Sequence, residues 1–339
     1  MRINMDRYIS VDSGKGFTKI SVIKNDRIED MNIESRMDAS DMCESPEKET
    51  YIVEYEGQVF KIGCGANQQA PYETTKKSTI HKISTLTAIA LQCENNDIIN
   101  IAIGCPLTIY ENIQQREDYK DYMLPKGDIK INVKTPKKNI ERVFSFGKRL
   151  VFPEGSGILY LNMKEFQNRY IGVVDLGSLN MNGSIYNNCM MQHDYSITSA
   201  DLGANPLINS LAKKLNAAYS INVAPEWVNN MLKDPDKANR MVRSKNVPDA
   251  YEKSPLLIAE HLESHVEKII EALTKAQWDI MNTSLIFVGG TSGLIEEELR
   301  KVFKNNGVDE ITIPEDPQHT NARGWLKALC LACRVKFPE

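Results

Sequence analysis

The sequence predicts an α/β fold of two domains, each core a mixed sheet flanked by helices, and three observations predict it. Two segments more than 150 residues apart repeat one design, an apolar strand, an Asp-x-Gly turn and a second apolar strand: Tyr8 to Ile20 around Asp12, Gly14 and Gly16, and Ile171 to Ile185 around Asp175 and Gly177. A third segment, Ser284 to Gly293, runs an apolar strand into Gly289-Gly290-Thr291 and then a helix. Elsewhere strand-like and helix-like stretches alternate, while Asp-x-Gly hairpins are antiparallel, so the sheets are mixed.

Taken in order, the opening hairpin ends near residue 24. Asp26 to Glu56 then carries eleven acidic residues against three basic ones, with few apolar residues before Tyr51-Ile52-Val53, and reads as a small, partly irregular acidic insertion over about 25–72. Ser78 to Leu91 places Ile80, Ile83, Leu86 and Ala90 at helical spacing, predicting a helix packed on the first sheet. A strand at Ile98–Ile103, a helix through Glu111–Tyr122, strands near Ile129–Val133 and Val143–Phe152 and the turn at Glu154 complete a first domain, 1–160. Ile158 to Gln167 predicts the crossover helix into a second domain, 161–339, where the Asp175 hairpin restarts the pattern. Asp201 to Pro206 opens a helix with Leu207, Leu211 and Leu215 on one face. Two more helices form an insertion at about 216–282, one entered by Pro225 beside Trp227, the other by Ser254 as N-cap and Pro255 as first helical residue. The latter carries Leu256, Leu262, Val266, Ile269, Ile270 and Leu273. Strand Leu285–Val288, helix Leu294–Val302, strand Ile311–Ile313 and a helix holding Trp325 finish the chain.

Composition narrows the function. At 339 residues, 42% apolar and 25% charged, the chain has ordinary globular values and enough length for two cores. It has no run of about 18 apolar residues, which argues against a membrane span. Its first residues, Met1 to Asp6, lack a signal-peptide core, so a cytoplasmic protein is expected. Seven irregularly placed cysteines make no secreted disulfide framework, and Cys330-x-x-Cys333 reads as two small residues on one helical face. His261 and His265 share a helix face without the zincin order and read as solvated surface. A net charge of −4 argues against direct DNA wrapping.

The duplicated turns point to a nucleotide clamp. Glycines remove Cβ and let backbone N–H groups approach a phosphate closely. Asp12 and Asp175 are the candidate hard-oxygen partners of a hydrated Mg²⁺, acting through water. Lys19 can oppose β/γ-phosphate charge.

These three segments, in this order and at these separations, resemble the actin/Hsp70/sugar-kinase ATPase superfamily, and within it the plasmid-segregating bacterial actins of the ParM/StbA type. Asp12-x-Gly14-x-Gly16-x-Thr18-Lys19 resembles their first loop, Ala102 to Leu107 their strand ending in a Pro-Leu turn, Phe152 to Gly157 the segment carrying the catalytic Glu, and Asn321 to Trp325 the start of their C-terminal helix. The resemblance implies an actin-like two-domain fold with nucleotide in the interdomain cleft. It implies ATP or GTP with Mg²⁺, held by Asp12, Gly14, Lys15, Gly16, Lys19, Gly177, Ser178, Leu179 and Asn180. Gly289 and Gly290 would let adenine or ribose lie against bare backbone, with Thr291 as a hydrogen-bonding neighbour. Glu154 would orient and polarise the attacking water, with Asp175 beside it in catalysis. Asn180 and Asn182 depart from the family, many of whose members carry Thr and an acidic residue there.

The function implied is a filament-forming ATPase that segregates plasmid DNA through a DNA-binding adaptor, assembling head to tail, without membrane or direct sequence-specific DNA binding. A small-molecule kinase of the same superfamily is the alternative. A chaperone ATPase lacks support, because no peptide-binding domain follows residue 339, and neither terminus is a convincing amphipathic membrane anchor. Asp26–Glu56 balances to −8, eleven acidic minus three basic residues, and Lys126–Arg149 to +6, eight basic minus two acidic, which would suit a head-to-tail contact.

Overall fold

The computed structural model describes residues 6–70 and 76–338, so the signal-peptide reading of Met1–Met5 and the last residues of the expected 25–72 insertion lie outside the described residues. The described chain forms two compact units, Met1–Glu165 with His319–Glu339, and Phe166–Gln318.

The first unit is built on nine strands: β1 (Asp6–Ser13), β2 (Phe17–Lys24), β3 (Arg27–Glu34), β4 (Met37–Ala39), β5 (Thr50–Tyr55), β6 (Gln58–Gly63), β7 (Ile98–Cys105), β8 (Asp128–Lys134) and β9 (Asn139–Pro153). Their order is β3-β2-β1-β7-β9-β8-β5-β6-β4. Strand β1 pairs antiparallel with β2 and parallel with β7, which pairs parallel with β9, giving a mixed sheet. Ile9, Val11, Ile101 and Ile103 are fully buried, the pattern of central strands covered on both faces. Helix Thr79–Gln92 buries Ile80, Ile83, Leu86 and Ala90 against this sheet.

The acidic insertion is partly irregular, as expected, with no strand over 40–49 or 64–70, but strands β3 to β6 within it extend the sheet and bury Ile33, Ile52, Val53 and Ile62. The −8 and +6 segments are neighbours, because β5 pairs antiparallel with β8 and Lys134 Nζ donates to the carbonyls of Met42 at 3.1 Å and Glu44 at 2.7 Å. Segments of opposite net charge thus lie side by side in one sheet.

The last helix, Thr320–Cys333, read from sequence as the end of the second domain, packs in the first unit against β1, β7 and helix Gly157–Leu161. A Cβ on Gly324 would overlap the backbone of Gly157, and one on Gly104 the indole of Trp325, so paired glycines allow the close approach. Trp325 is fully buried, its Nε1 donates to Ser156 Oγ at 2.9 Å, and Arg323 makes two bonds to Asp30 Oδ2 at 2.6 and 2.8 Å. The crossover helix divides into Gly157–Leu161 and Met163–Phe166.

The second unit has a four-stranded sheet of β10 (Tyr170–Leu176), β11 (Met181–Asn187), β12 (Met190–Ser199) and β13 (Ser284–Val288), in the order β12-β11-β10-β13. Strand β10 pairs antiparallel with β11 and parallel with β13. Helix Ala204–Tyr219 buries Leu207, Leu211 and Leu215, and Pro225 opens helix Pro225–Lys233 at its first turn. Helix Ala250–Lys275 begins four residues before Ser254. Ser254 is not its cap: the side chain is buried and accepts the Val242 N–H at 2.9 Å, while Leu256 points to solvent. His265 on this helix is buried, not solvated, and burial pushes its imidazole down to about 4, whereas His261 stays partly exposed and meets Ser210 Oγ at 2.9 Å. Thr312 makes a single parallel bridge to Ile286 in place of the expected strand, and the helix expected at Leu294–Val302 breaks at Ile295 into Gly290–Leu294 and Glu296–Asn305. Among the described residues, no helix is long and apolar enough to cross a membrane.

Candidate functional site

In the first unit, the β1–β2 register sets Asp12 opposite Lys19 and Ser13 opposite Thr18. The Gly14 N–H donates to the carbonyls of Asp12 and Phe17, both at 3.0 Å, and a Cβ there would lie 2.7 Å from Phe17 O, so Gly14 shapes the turn. Ser35, at the end of the following hairpin, holds both neighbouring carbonyls: its Oγ donates to Gly14 O at 2.6 Å and its N–H to Gly16 O at 3.0 Å. The negative ends of these peptides are thereby committed to protein donors.

Asp12 is buried, and Lys19 Nζ donates to its Oδ2 at 2.7 Å. Burial disfavours its charge, but the ammoniums of Lys19 and Lys76 and bonds from Lys19 and Asn321 outweigh this and hold the carboxyl below the usual carboxylate range. Lys15, half-buried, is pushed down by burial and by Lys76, against the pull of Glu154. Glu154 follows β9, its N–H donating to Cys105 O at 3.0 Å, and its buried carboxylate pairs with Lys76, also buried. The next residue, Gly155, is left-handed at φ +81° and turns the chain toward Ser156, whose Oγ donates to Pro153 O at 2.7 Å.

His81, one turn into helix Thr79–Gln92, is 1% exposed, with Nδ1 2.8 Å from Ser78 Oγ. Its Nε2 has no hydrogen-bond partner among the described residues. Burial first, then the charges of Lys76 and Lys15, push its imidazole down to about 3. Either atom of the Ser78–His81 pair can donate, so the proton sits on Nε2 if Ser78 donates and on Nδ1 if the ring does. Lys15 and Lys19, gathered beside the carboxylates of Asp12 and Glu154, fit a polyanion such as a nucleotide phosphate chain.

The histidine also sets a pH dependence. In the unfolded chain it takes a proton near pH 6.5, whereas in the folded chain it stays neutral to about pH 3, so the unfolded state binds more protons across that window. Stability is therefore expected to fall as pH drops below 6.5, with His81 contributing about 2 kcal/mol of loss between pH 7 and pH 5. Urea unfolding of wild type and His81→Asn at both pH values checks this: the variant should lose about 2 kcal/mol less on acidification. An equal loss in both would remove His81 as the cause.

In the second unit the same design recurs. Asp175, half-buried, stands opposite Asn182 on β11 and Val288 on β13. The Gly177 N–H donates to Asn180 O at 2.9 Å, while Gly177 O accepts from the Ala204 N–H at 3.0 Å and Thr291 Oγ1 at 2.8 Å. Ser178 O accepts the Asn205 N–H at 2.7 Å, so this loop's carbonyls too are engaged by protein donors. Gly203 lets the loop rest on the start of helix Ala204–Tyr219, because a Cβ there would lie 2.5 Å from the Leu179 carbonyl carbon. The Leu179 side chain is buried, leaving only its backbone to meet a ligand. Asn180 Nδ2 donates to Asn182 Oδ1 at 3.3 Å, and Thr198 Oγ1 donates to the same oxygen at 2.9 Å. Gly289, at φ +88°, passes so close to β10 that a Cβ would lie 2.5 Å from Asp175 Oδ1. Gly290 is open, with nothing nearer than 4.0 Å to such an atom. Thr291 is 2% exposed and its hydroxyl serves Gly177, which makes it a brace between two loops and not a ready ligand contact.

Each unit thus brings its predicted residues together: Asp12, Gly14, Lys15, Gly16, Lys19 and Glu154 in the first, and Asp175, Gly177, Ser178, Leu179, Asn180, Gly289, Gly290 and Thr291 in the second. Sequence reading missed Ser35, Lys76, His81 and Gly203. Only Lys76-Lys77, a basic pair before a helix, offered a signal.

Residues 10–157 match the family model described as the actin-like proteins N-terminal domain. No curated protein matches the sequence. Among solved structures, the chain is similar to the archaeal actin homologue Ta0583, at 21% identity and a TM-score of 0.75, with 96% of this chain and 99% of that one covered. Ta0583 has also been solved in complex with ADP. The Alp12 filament structure is similar at 23% identity and a TM-score of 0.69, covering 97% and 99%. A 15-stranded ParM filament from Clostridium botulinum is similar at 16% identity and a TM-score of 0.70, covering 97% and 100%.

Proposed function

We propose, for a chain that has the actin-like fold and carries the N-terminal domain of the actin-like proteins over residues 10–157, a nucleotide-dependent, filament-forming ATPase that segregates plasmid DNA through an adaptor protein. The observation that carries this reading is the duplication. In each unit a strand ending in Asp-x-Gly pairs antiparallel with its hairpin partner and parallel with a third strand, β1 with β7 and β10 with β13. Two structures similar in fold are filaments, and another, that of Ta0583, is solved with ADP.

Each loop would cradle phosphates, with Lys15 and Lys19 opposing their charge and Gly290 leaving room for the nucleoside. Asp12 and Asp175 would hold Mg²⁺ through water; the metal, when bound, neutralises phosphate charge. Glu154, whose backbone is tied to Cys105, would orient and polarise the attacking water. Hydrolysis would act as a timer, because nucleotide and product would favour different conformations. ATP or GTP fits the same loops. With a net charge of −4, the chain would reach DNA through its adaptor.

Phosphate release measured against protein concentration tests this. The rate per molecule should rise steeply above a threshold concentration, as assembly switches on hydrolysis. A constant rate per molecule, raised only by an added small-molecule acceptor, would indicate a phosphotransferase instead.

A further inference from the structure

Lys76 lies outside both Asp-x-Gly loops, yet it is only 7% exposed and its ammonium pairs with the 6% exposed Glu154. A buried lysine almost always has a partner, and here the partner is the carboxylate that acts on water in the reading above. The backbone at Lys76 is left-handed, φ +49°, a conformation that a residue with Cβ keeps where its surroundings over-determine it. The same ammonium is felt by Asp12, Lys15, His81 and Cys105, so it stands where the β1–β2 loop, the start of helix Thr79–Gln92, and the ends of β7 and β9 converge.

We propose that Lys76 is the positioning residue of Glu154: it fixes the carboxylate through Oε1 in the orientation from which that group acts on water. The proposal rests on the ATPase reading. A buried carboxylate needs a partner to define its direction, and a flexible one orients water poorly. Lys15, Cys105 and Tyr119 also feel Glu154, and of these three Lys15 is a cation. Tyr119 donates its hydroxyl to Gly104 O at 3.1 Å. Without Lys76 the carboxylate would turn toward Lys15, away from its working orientation.

Steady-state hydrolysis and calorimetric Mg·ATP affinity of full-length wild type, Lys76→Met, Lys76→Arg, Glu154→Gln and the Met/Gln double variant test this. Lys76→Met should lower kcat about 10²-fold, within the range of a misplaced general base, while affinity stays within about threefold. Lys76→Arg should recover about tenfold of that loss, because the guanidinium keeps the charge with altered geometry. The double variant should be no slower than Glu154→Gln alone, since Lys76 acts through Glu154. Wild-type kcat in folded Lys76→Met, a loss of affinity at unchanged kcat, or additive losses in the double variant would overturn the proposal. If Lys76→Met does not fold, Lys76→Arg decides: lowered kcat at unchanged affinity supports it, and weakened affinity at unchanged kcat overturns it. Failure of the underlying reading shows separately, as wild-type hydrolysis in Glu154→Gln.

Discussion

Glu154→Gln is expected to lower nucleotide hydrolysis by about 10²–10⁴-fold, the range for removing a group that handles the proton of an attacking water. The amide keeps the shape of the side chain and disturbs neither Asp-x-Gly loop, so Mg·ATP should still bind and filaments should still form. They should outlive wild-type filaments, because the timer is slowed. The substitution also leaves Lys76 buried without its carboxylate, and breaking one side of a buried pair costs about 3–5 kcal/mol of stability. Unfolding and phosphate release are therefore measured on the same preparation. A folded variant hydrolysing at the wild-type rate would remove Glu154 from the chemistry.

Gly289→Val should damage both fold and binding. The position has φ +88°, and its Cβ would meet Leu176 O and lie 2.5 Å from Asp175 Oδ1. Left-handed strain and overpacking together should cost about 3 kcal/mol. The displaced Asp175 should lower Mg·nucleotide affinity about tenfold or more, as one misplaced charged contact would. Gly290→Ala is the control: its Cβ has no neighbour nearer than 4.0 Å, so stability should hold within about 0.5 kcal/mol. If Gly290 lies against the nucleoside, the same alanine should still weaken binding. Calorimetry and urea unfolding of both variants separate these outcomes, and unchanged affinity in folded Gly289→Val would break the link between this turn and Asp175.

What was legible in the sequence followed from local pattern. The hairpins at Asp12 and Asp175, the helix at Ile80 to Ala90 and the helix begun by Pro225 each express a short-range rule of periodicity or turn chemistry, and the structure shows them. What stayed hidden depends on residues far apart in the chain. Lys76 becomes part of the site only when β9 carries Glu154 to it, and Ser35 only when β3 returns beside the first turn. The last helix belongs to the first unit through Gly324 against Gly157 and Trp325 against Gly104, contacts across more than 160 residues. The adjacency of the acidic and basic segments stayed hidden for the same reason, because it depends on β5 pairing with β8. Ser254-Pro255 has the composition of a helix start, but a tertiary bond from Val242 claims the hydroxyl and the helix begins earlier.

Sedimentation of the purified full chain with and without Mg·ATP tests the central claim most directly. Protein above a threshold concentration is expected to pellet with Mg·ATP, stay in the supernatant without nucleotide, and return to the supernatant once the ATP is consumed. Protein that remains in the supernatant with Mg·ATP at every concentration would contradict it.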